Sequence, residues 1–319
     1  MNDFLFVEKY RPQTIQECIL PTTHKNMFQE IVDGGADAFP NMTLSGDAGT
    51  GKTTVARALC NELSMDYLLI NASEENGIDV LRTKIKRFAT TKSLSGNKKV
   101  VILDEADNLS SATMQALRGF IESYSKNCRF ILTCNYKNKI IPALHSRCPV
   151  IDFKIPKDQR GGIAGEMFLR MSQILKNENI QFNDNTLERV VVKYFPDFRT
   201  TIGKIQQFSK SGTLQDGIVG ESDDADFDEL FSFLKGKKFV SIRKWVSQNS
   251  DMDIQSFYSS MYKYLWKRFD ADDLPITNQS MTSFIPMIQE YSYQAAFTVD
   301  NEINMMAFLT MTMVDLEYV

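Results

Sequence analysis

The chain has 319 residues, of which 43% are hydrophobic and 24% are charged, which is typical of a globular protein with two or three compact units. Its 40 acidic and 36 basic residues give a net charge of -4, which excludes a chain-wide basic excess for nucleic acid or an anionic membrane. Any such partner must bind to a local patch.

Membrane-spanning and secreted classes are also excluded. The chain contains no run of about eighteen apolar residues, and its N-terminal segment carries Asp3, Glu8, Lys9 and Arg11 where a signal peptide would be apolar. Its five cysteines form no C-x-x-C pair, and only two histidines are present. We therefore expect no zinc site, no disulfides, no membrane partner and a reducing, cytoplasmic location.

Between residues 40 and 153, short apolar segments alternate with helical patterns. The sequence predicts strands at 42–45, 67–71, 100–104, 129–135 and 150–153. It predicts helices at 52–62, 78–90 and 111–124. Strand–helix–strand repetition predicts an α/β fold, a parallel sheet with helices on both faces.

Beyond Pro156 the pattern is helical, with apolar residues at offsets of three and four. These residues are Met167, Met171, Ile174 and Leu175, then Leu187, Val190, Val191 and Tyr194, and later Phe257, Met261, Tyr264 and Leu265. We interpret the last set as core, with a face for partner subunits as the alternative. Residues 215–230 hold seven acidic and no basic residues, which indicates a solvated connector or a helix start.

Gly46 to Thr53 has the pattern G-x-x-x-x-G-K-T between a predicted strand and a predicted helix, as a phosphate-binding loop requires. The glycines let backbone N–H groups and the positive helix end surround phosphate oxygens. Lys52 offers charge to the outer phosphates, and Thr53 offers its hydroxyl to Mg²⁺. A chance glycine turn is the alternative. The residues expected to bind ATP here are Gly49, Thr50, Gly51, Lys52, Thr53 and Thr54.

Asp104 and Glu105 follow a buried strand pattern. Because neighbouring strand residues point to opposite faces, the two carboxylates can serve one site only if the strand bends at its end. We assign Asp104 to Mg²⁺ and Glu105 to polarising the attacking water. The letters of Asp104 to Asp107 also name a helicase class, but the S-A-T and H-R-x-G-R strings of those enzymes are absent.

Asn135 ends the fourth predicted strand, where an amide can hold water or the terminal phosphate. Arg147 follows in a loop after the sheet and cannot easily reach its own nucleotide. Its expected role is an arginine finger for a neighbouring copy, an effect worth about 10³ to 10⁵ in rate in systems built that way. Taken alone, both residues could be ordinary surface or capping residues.

These motifs together resemble the clamp-loader ATPases of the AAA+ class, over roughly residues 5 to 215. Residues 195–203, read as F-P-D-F-R-T-T-I-G, are similar to the large, ATP-hydrolysing subunits of T4-type bacteriophages, and cellular small subunits are the alternative. The strings that carry the resemblance, in family order, are Val7 to Pro12, the phosphate loop, Asn71 to Ser73, Asp104 to Asp107, Gln115 to Arg118, Asn135 and Ser146 to Cys148.

The resemblance implies further site residues. It places Val7, Glu8, Lys9, Tyr10 and Ile19 at the adenine and Arg199, in a helical lid, on the other side of the nucleotide. It implies that Gln115 and Arg118 couple DNA contact or the neighbouring subunit to hydrolysis. Simple packing, an ion pair of Arg199 with an aspartate, and a solvated Gln115 are the alternatives. The implied domains are 1–155 (AAA+ α/β), 156–215 (lid) and 216–319 (helical collar for oligomerisation).

A local basic stretch is a candidate DNA-binding surface. Residues 79–99 hold seven basic side chains and one acidic, a net of +6. Arg82 and Lys86 lie four apart and share a helix face, which suits contact with a phosphate backbone. We expect Arg82, Lys86 and Arg87 to bind DNA, and a solvated basic face is the alternative.

The resemblance implies an ATPase subunit that opens a ring-shaped sliding clamp and places it on primer-template DNA. The expected assembly is four copies with one smaller subunit, in the host cytoplasm if the chain is phage-encoded. A replication initiator or branch-migration motor remains an alternative. A scaffold without turnover is disfavoured because Lys52, Asp104, Glu105, Asn135 and Arg147 are all present, and a protein remodeller because we find no aromatic pore string.

Overall fold

The structure is a computed structural model that describes residues 5–75, 77–93, 98–214, 223–249, 252–298 and 300–319. The chain divides into two compact units, Met1–Ile218 and Val219–Val319. The separate lid domain from residue 156 stays a prediction, since this division does not test it. Among the described residues, no helix combines the length and apolarity needed to cross a bilayer.

The first unit is built on a parallel sheet of five strands in the order β2-β3-β4-β1-β5. The strands are β1 (Met42–Ser45), β2 (Tyr67–Asn71), β3 (Lys99–Asp104), β4 (Cys128–Cys134) and β5 (Val150–Asp152). All five predicted strands are confirmed, with ends that differ by at most one residue. The order places β1, which precedes the phosphate loop, beside β4, and β4 beside β3.

Helices cover both faces of this sheet, as predicted. The helices of this part of the chain are α1 (Phe6–Lys9), α2 (Thr22–Asp33), α3 (Gly35–Ala38), α4 (Lys52–Glu62), α5 (Ile78–Thr90), α6 (Ser111–Tyr124) and α7 (Pro142–His145). Residues of α2 and α4 pack in the apolar cluster on one face, and residues of α5, α6 and α7 pack in the cluster on the other. Short 3₁₀ turns occupy Ala106–Asn108, Lys137–Lys139 and Lys157–Gln159. The predicted bounds of α4, α5 and α6 are confirmed to the residue.

Strand β3 shows why the sheet needs both helical layers. Val100 and Ile102 lie in one apolar cluster with Leu59 of α4, while Val101 and Leu103 lie in the opposite cluster with Ile85 of α5. Side chains alternate along a strand, so the apolar run at residues 100–103 within β3 has two faces to bury. The sheet is therefore fixed between two cores, and its strand ends can position reactive groups.

Three further helices complete the first unit: α8 (Arg160–Asn177), α9 (Asp184–Tyr194) and α10 (Phe198–Phe208). The side chains of Asn183 and Asp197 accept hydrogen bonds from first-turn amides and so cap α9 and α10. The predicted apolar residues of α8 and α9 are buried, except Tyr194, which is partly exposed.

The second unit is helical in its described residues, apart from an isolated bridge between Ile276 and Tyr318. Its helices are α11 (Asp223–Lys235), α12 (Phe239–Gln248), α13 (Ile254–Asp270), α14 (Asn278–Ala295) and α15 (Asn301–Asp315). Of the acidic stretch, residues 215–222 lie outside the described residues, and Asp223 begins α11, which agrees with a helix start there.

Aromatic side chains form the core of the second unit. Phe257, Phe284 and Phe308 are fully buried, and the Phe308 ring meets Tyr258 edge to face at 5.1 Å. Aromatic pairs of this geometry add to the stabilisation from apolar burial. All four residues of the predicted stripe, Phe257, Met261, Tyr264 and Leu265, are buried, which confirms their interpretation as core.

Candidate functional site

The candidate site lies at the carboxyl ends of β1, β4 and β3, which are neighbours in the sheet. The phosphate loop follows β1, Asn135 follows β4, and Asp104 with Glu105 ends β3. Open parallel sheets bind ligands at this edge, because the loops after adjacent strands diverge there. The site opens into a cleft that encloses about 1130 Å³, including space open to solvent.

The phosphate loop curves as its glycines predict. Gly49 and Gly51 have φ angles of +73° and +91°, in the left-handed region where a side chain is unfavourable. Gly51 is the N-cap of α4 and provides no side-chain cap, so the first-turn amides remain available to an anion. Gly49, Thr50, Gly51, Lys52, Thr53 and Thr54 all line the cleft.

Lys52 is held rigidly at the cleft floor. Its Nζ donates to the carbonyl oxygens of Gly46 and Asp47, both at 2.7 Å, and to Asn135 Oδ1 at 3.0 Å. Burial lowers the pKa of the Lys52 ammonium, and the charge of Asp104 is among the effects that raise it. A poorly hydrated cation whose neighbours are mostly neutral dipoles is a strong partner for phosphate.

Asp104 joins the phosphate loop to the neighbouring strand. Its Oδ1 accepts hydrogen bonds from Thr53 Oγ1 at 2.7 Å and from Thr133 Oγ1 at 2.5 Å. Thr133 is almost completely buried in β4 and was not singled out from the sequence. The Asp104 carboxylate and the Thr53 hydroxyl, which the sequence predicts to bind Mg²⁺, therefore lie side by side.

Glu105 shows the bend on which its assignment depends. Its backbone is left-handed, with φ 56° and ψ 41°, and its N–H donates to Thr133 Oγ1 at 3.1 Å. This turn ends β3, so that Asp104 and Glu105 both line the cleft. Two adjacent carboxylates can serve one site only if the strand bends at its end, and the left-handed conformation of Glu105 provides this bend.

Asp107 is a second residue that sequence reasoning missed. It is 9% exposed, and its Oδ2 accepts hydrogen bonds from the backbone N–H groups of Asn135 and Tyr136, at 3.2 and 3.1 Å. These bonds fix the end of β4, and with it the Asn135 side chain that meets Lys52. The sequence shows Asp107 three residues after Asp104, but nothing in it indicates that Asp107 binds the amide of Asn135, 28 residues further along the chain.

The N-terminal segment contributes only part of its predicted residues to the cleft. Val7, Tyr10 and Ile19 line it, but Glu8 and Lys9 do not. Glu8 pairs with Arg11, whose hydrogen bond lowers the pKa of Glu8, and Lys9 Nζ lies 2.6 Å from Glu178 Oε1. In this structure the Glu8 side chain pairs with Arg11, which itself lines the cleft, and Lys9 pairs with Glu178, so a nucleotide contact by Glu8 or Lys9 stays a prediction.

Helix α10 forms the opposite wall. Arg199 lines the cleft together with Phe198 and Ile202, and Arg199 is exposed. Phe198 N–H donates to Gly49 O at 3.1 Å, and a methyl group built on Gly49 would lie 1.8 Å from Asp197 Oδ1. The start of α10 thus rests directly on the phosphate loop, in a contact that the sequence motifs did not reveal.

Arg170 of α8 ties this wall to the N-terminal segment. Its Nη2 donates to Tyr10 O at 3.2 Å, and Arg170 itself lines the cleft. The Tyr10 hydroxyl donates to Glu178 at 2.5 Å, and burial raises the pKa of Tyr10. Cys18 also lines this end of the cleft, where burial raises the pKa of its thiol to about 12 and keeps it protonated.

Arg147 lies outside its own cleft. Its Nε donates to Glu122 Oε1 at 2.8 Å and its Nη1 to Ala143 O at 2.8 Å, and the side chain is 30% exposed. Gln115 and Arg118 are exposed on α6, also away from the cleft lining. These three residues therefore do not contribute to the nucleotide cleft within a single chain.

The basic stretch is smaller than the sequence predicts. Arg82, Lys86 and Arg87 are exposed on α5, but Lys99 is 5% exposed and its Nζ donates to Phe88 O and to Thr91. Lys99 begins β3, and its ammonium group binds oxygen atoms at the C-terminal end of α5, so its charge is not available to a ligand. Inclusion of Lys99 in the DNA-binding charge is therefore wrong.

ATP and Mg²⁺ fit the residues present. Two left-handed glycines, an uncapped helix start and a buried lysine form a phosphate cradle. Mg²⁺ prefers hard oxygen ligands, which Asp104 and Thr53 supply side by side. The apolar end of the cleft, with Val7, Ile19 and Ile202, offers a wall for a flat base.

Two family models match the chain. Residues 42–155 match the ATPase family associated with various cellular activities (AAA). Residues 160–220 match the AAA+ ATPase lid domain of the sliding-clamp-loader large subunit. These two matches cover the sheet that carries the phosphate loop and the helices of the opposite wall.

Similar proteins extend this likeness over the chain. The sliding-clamp-loader large subunit of Enterobacteria phage T4 is 34% identical over 310 residues, covering 95% of this chain and 94% of that protein. The same subunit of Escherichia phage RB69 is 38% identical, covering 76% and 77%. The replication factor C small subunit of Archaeoglobus fulgidus is 38% identical, covering 68% and 67%.

Among solved structures, the Holliday junction branch migration motor RuvB of Thermotoga maritima has a TM-score of 0.53 and 14% identity, covering 70% of this chain and 79% of that one. At this identity the likeness concerns the fold alone. With the lid match and a phage relative aligned over nearly its whole length, the chain belongs to the sliding-clamp-loader large-subunit family of AAA+ ATPases.

Proposed function

We propose that the chain is the ATP-hydrolysing subunit of a loader that opens a ring-shaped sliding clamp and places it on primer-template DNA during replication. The observation that carries this proposal is the divided site: the cleft holds a phosphate cradle and two carboxylates, while Arg147 lies outside it. Such a site hydrolyses ATP efficiently only when a second copy adds its arginine. ATP turnover then depends on assembly. A loader that works by changing the contacts between its subunits requires such a dependence.

Within one chain, the residues divide the chemistry of ATP hydrolysis. The amides of the phosphate loop and Lys52 bind the phosphate chain, and Asn135 orients the terminal phosphate or the attacking water. Glu105 accepts a proton from that water as it attacks. Thr53 and Asp104 would hold Mg²⁺, which neutralises phosphate charge when bound. The products are ADP and inorganic phosphate.

Between chains, Arg147 supplies the charge that stabilises the transition state in the neighbouring cleft. In the single chain Glu122 holds the Arg147 guanidinium, so assembly has to exchange this partner for phosphate. ATP bound at such an interface stabilises the assembled state by its difference in affinity for the two states. Hydrolysis removes this difference and releases the clamp.

The remaining expectations form part of the same proposal. The lid would span residues 156–215 and the collar 216–319, with four copies and one smaller subunit in the assembly. Arg82, Lys86 and Arg87 would contact the DNA backbone, and Gln115 and Arg118 would couple that contact to hydrolysis. The five buried thiols suit the reducing cytoplasm that we propose as the location.

The decisive experiment measures ATP hydrolysis by the chain alone, by the chain with its smaller partner, and by that complex with primer-template DNA and a sliding clamp. We expect slow turnover alone and strong stimulation by DNA and clamp together. Native mass spectrometry of the same samples gives the assembly. Full turnover by an isolated chain, or no response to a clamp, would favour another kind of AAA+ ATPase.

A further inference from the structure

A second concentration of positive charge lies in the C-terminal unit. Residues 235–244, which we call the basic segment, contain five basic residues and no acidic one. The whole unit Val219–Val319 holds sixteen acidic and eight basic residues, so most of its positive charge lies in this short segment. A local cationic patch on an otherwise acidic body is a specific electrostatic feature.

The charges of the basic segment are exposed and mostly unpaired. Lys235 donates to Val319 O at 2.5 Å, but Lys237, Lys238, Arg243 and Lys244 form no ion pair with the described residues. Arg268 of the same unit, in contrast, pairs with Asp228 and Asp273. The four charges therefore remain available to an anionic partner.

Helix α12 arranges these charges around an aromatic side chain. Ile242, Trp245 and Val246 are buried on one face. The other face presents Phe239, Val240, Arg243 and Lys244, with Phe239 and Val240 47% and 81% exposed. Residues four apart share a helix face, so Phe239 and Arg243 are neighbours, as are Val240 and Lys244.

The start of α12 adds a third cationic element. Its N-cap, Lys238, makes no side-chain hydrogen bond to the first turn, and the residue before it, Lys237, has a left-handed φ of 47°. Phe239 N–H donates to Lys237 O at 3.1 Å, and the remaining first-turn amides, which have no side-chain cap, carry the positive end of the helix dipole. Backbone and side chains thus attract negative charge at the same place.

We propose that the basic segment binds single-stranded DNA, with phosphates at Lys237, Lys238, Arg243 and Lys244 and a base stacked on Phe239. Exposed aromatic rings among cations favour single strands, because only unpaired bases offer their faces for stacking. A duplex would use the charges but leave Phe239 without a role. The choice of DNA rests on the proposed function, which places this chain on primer-template junctions.

The test is fluorescence anisotropy of a labelled single-stranded oligothymidylate with the full chain at several salt concentrations. The variant with Lys237, Lys238, Arg243 and Lys244 all changed to Ala should bind more weakly and with a shallower salt dependence. Each phosphate contact removed should lower the slope of log K against log salt by about 0.7. Phe239→Ala should weaken binding by about fivefold to a hundredfold with little change in slope.

Two matched controls keep the result specific. Lys263→Ala removes an exposed cation from another helix of the same unit, and Phe297→Ala removes a ring that is 72% exposed. Both should bind the oligonucleotide as wild type does. Because every changed side chain is exposed, thermal unfolding should occur at the wild-type temperature in all variants.

Three outcomes would overturn the proposal. One is wild-type affinity and salt slope in the four-site variant, and another is absence of oligonucleotide binding by the wild type at low salt. The third is loss of assembly in native mass spectrometry with unchanged oligonucleotide affinity, which would assign the surface to an acidic protein partner. Clamp-stimulated ATP hydrolysis by the wild type tests the proposed function separately, so either idea can fail alone.

Discussion

In the first unit, polar contacts at three strand ends hold the functional side chains, whereas the second unit is held by buried aromatic rings. Thr53, Asp104 and Thr133 are linked by hydrogen bonds between side chains from three separate elements. Around Phe308 the contacts are ring to ring. Hydrogen bonds require particular atoms at particular positions, but apolar packing tolerates exchange among residues of similar volume. Recognisable motifs therefore occur in the first unit and not in the second.

The largest effect should come from Arg147→Ala, which removes the group that we propose completes the site between chains. Turnover by the assembly should fall by about 10³-fold or more, while ATP affinity of the single chain stays near wild type. Steady-state hydrolysis and calorimetric titration measure the two quantities. Glu122→Gln is the matched control, because it frees Arg147 and should preserve turnover. Equal loss of binding and turnover in Arg147→Ala would place Arg147 in its own cleft.

Glu105→Gln should reduce turnover by about 10² to 10⁴-fold, since the amide cannot accept the proton of water. ATP should still bind, because Lys52 and the phosphate loop are unchanged. Single-turnover hydrolysis beside ATP titration separates these steps. Asn108→Ala, which removes only a 3.4 Å contact to Glu105, should have a small effect. An unchanged rate in Glu105→Gln would assign the base to another residue.

Phe308→Ala tests the aromatic core of the second unit. Loss of this fully buried ring should reduce the free energy of unfolding of the second unit by about 3 to 5 kcal/mol. ATP affinity of the first unit should change little. Calorimetric unfolding and ATP titration check both, and Phe297→Ala, 72% exposed, should stay within about 0.5 kcal/mol of wild type. Loss of ATP binding in Phe308→Ala would mean that the units do not act separately.

Gly49→Ala should have the smallest effect, weakening ATP binding about tenfold, which corresponds to the cost of a side chain in the left-handed region. The methyl group would collide with Asp197 and impose side-chain strain at positive φ. Adding Asp197→Ala removes the collision but leaves the strain and also removes the cap of α10, so it should restore only part of the affinity. Gly119→Ala is the control, since its methyl group meets nothing within 4 Å and α6 should gain up to about 1 kcal/mol. Identical affinity in Gly49→Ala with and without Asp197→Ala would rule out the contact.

Sequence patterns predicted the five strands and the three helices α4, α5 and α6 because each of these elements carries its own periodicity. Strand β3 contains four consecutive apolar residues, and α5 repeats buried residues at Leu81, Ile85 and Ala89. The phosphate loop was equally readable, since its chemistry needs consecutive residues. For the second unit the spacing predicted helices and core, but no pattern predicted a ligand.

Contacts between distant segments could not be predicted in this way. Thr133 and Asp107 are common residue types, and only the strand order brings Thr133 to Asp104 and Asp107 to the amide of Asn135. Lys99 looked like part of a basic face, yet it begins a buried strand. Lys9 was expected at the nucleotide, but its ion-pair partner Glu178 lies 169 residues further along the chain, which no local pattern connects.

The left-handed backbone at Glu105 has an evolutionary consequence. A non-glycine residue in this conformation costs about 1 kcal/mol, which glycine would not pay. Glycine also adds conformational freedom to the unfolded chain, which costs about 0.5 to 1 kcal/mol, so Glu105→Gly should change stability little. Selection for stability alone would therefore not retain a glutamate at this position, and its retention would have to come from the catalytic role that we propose for it.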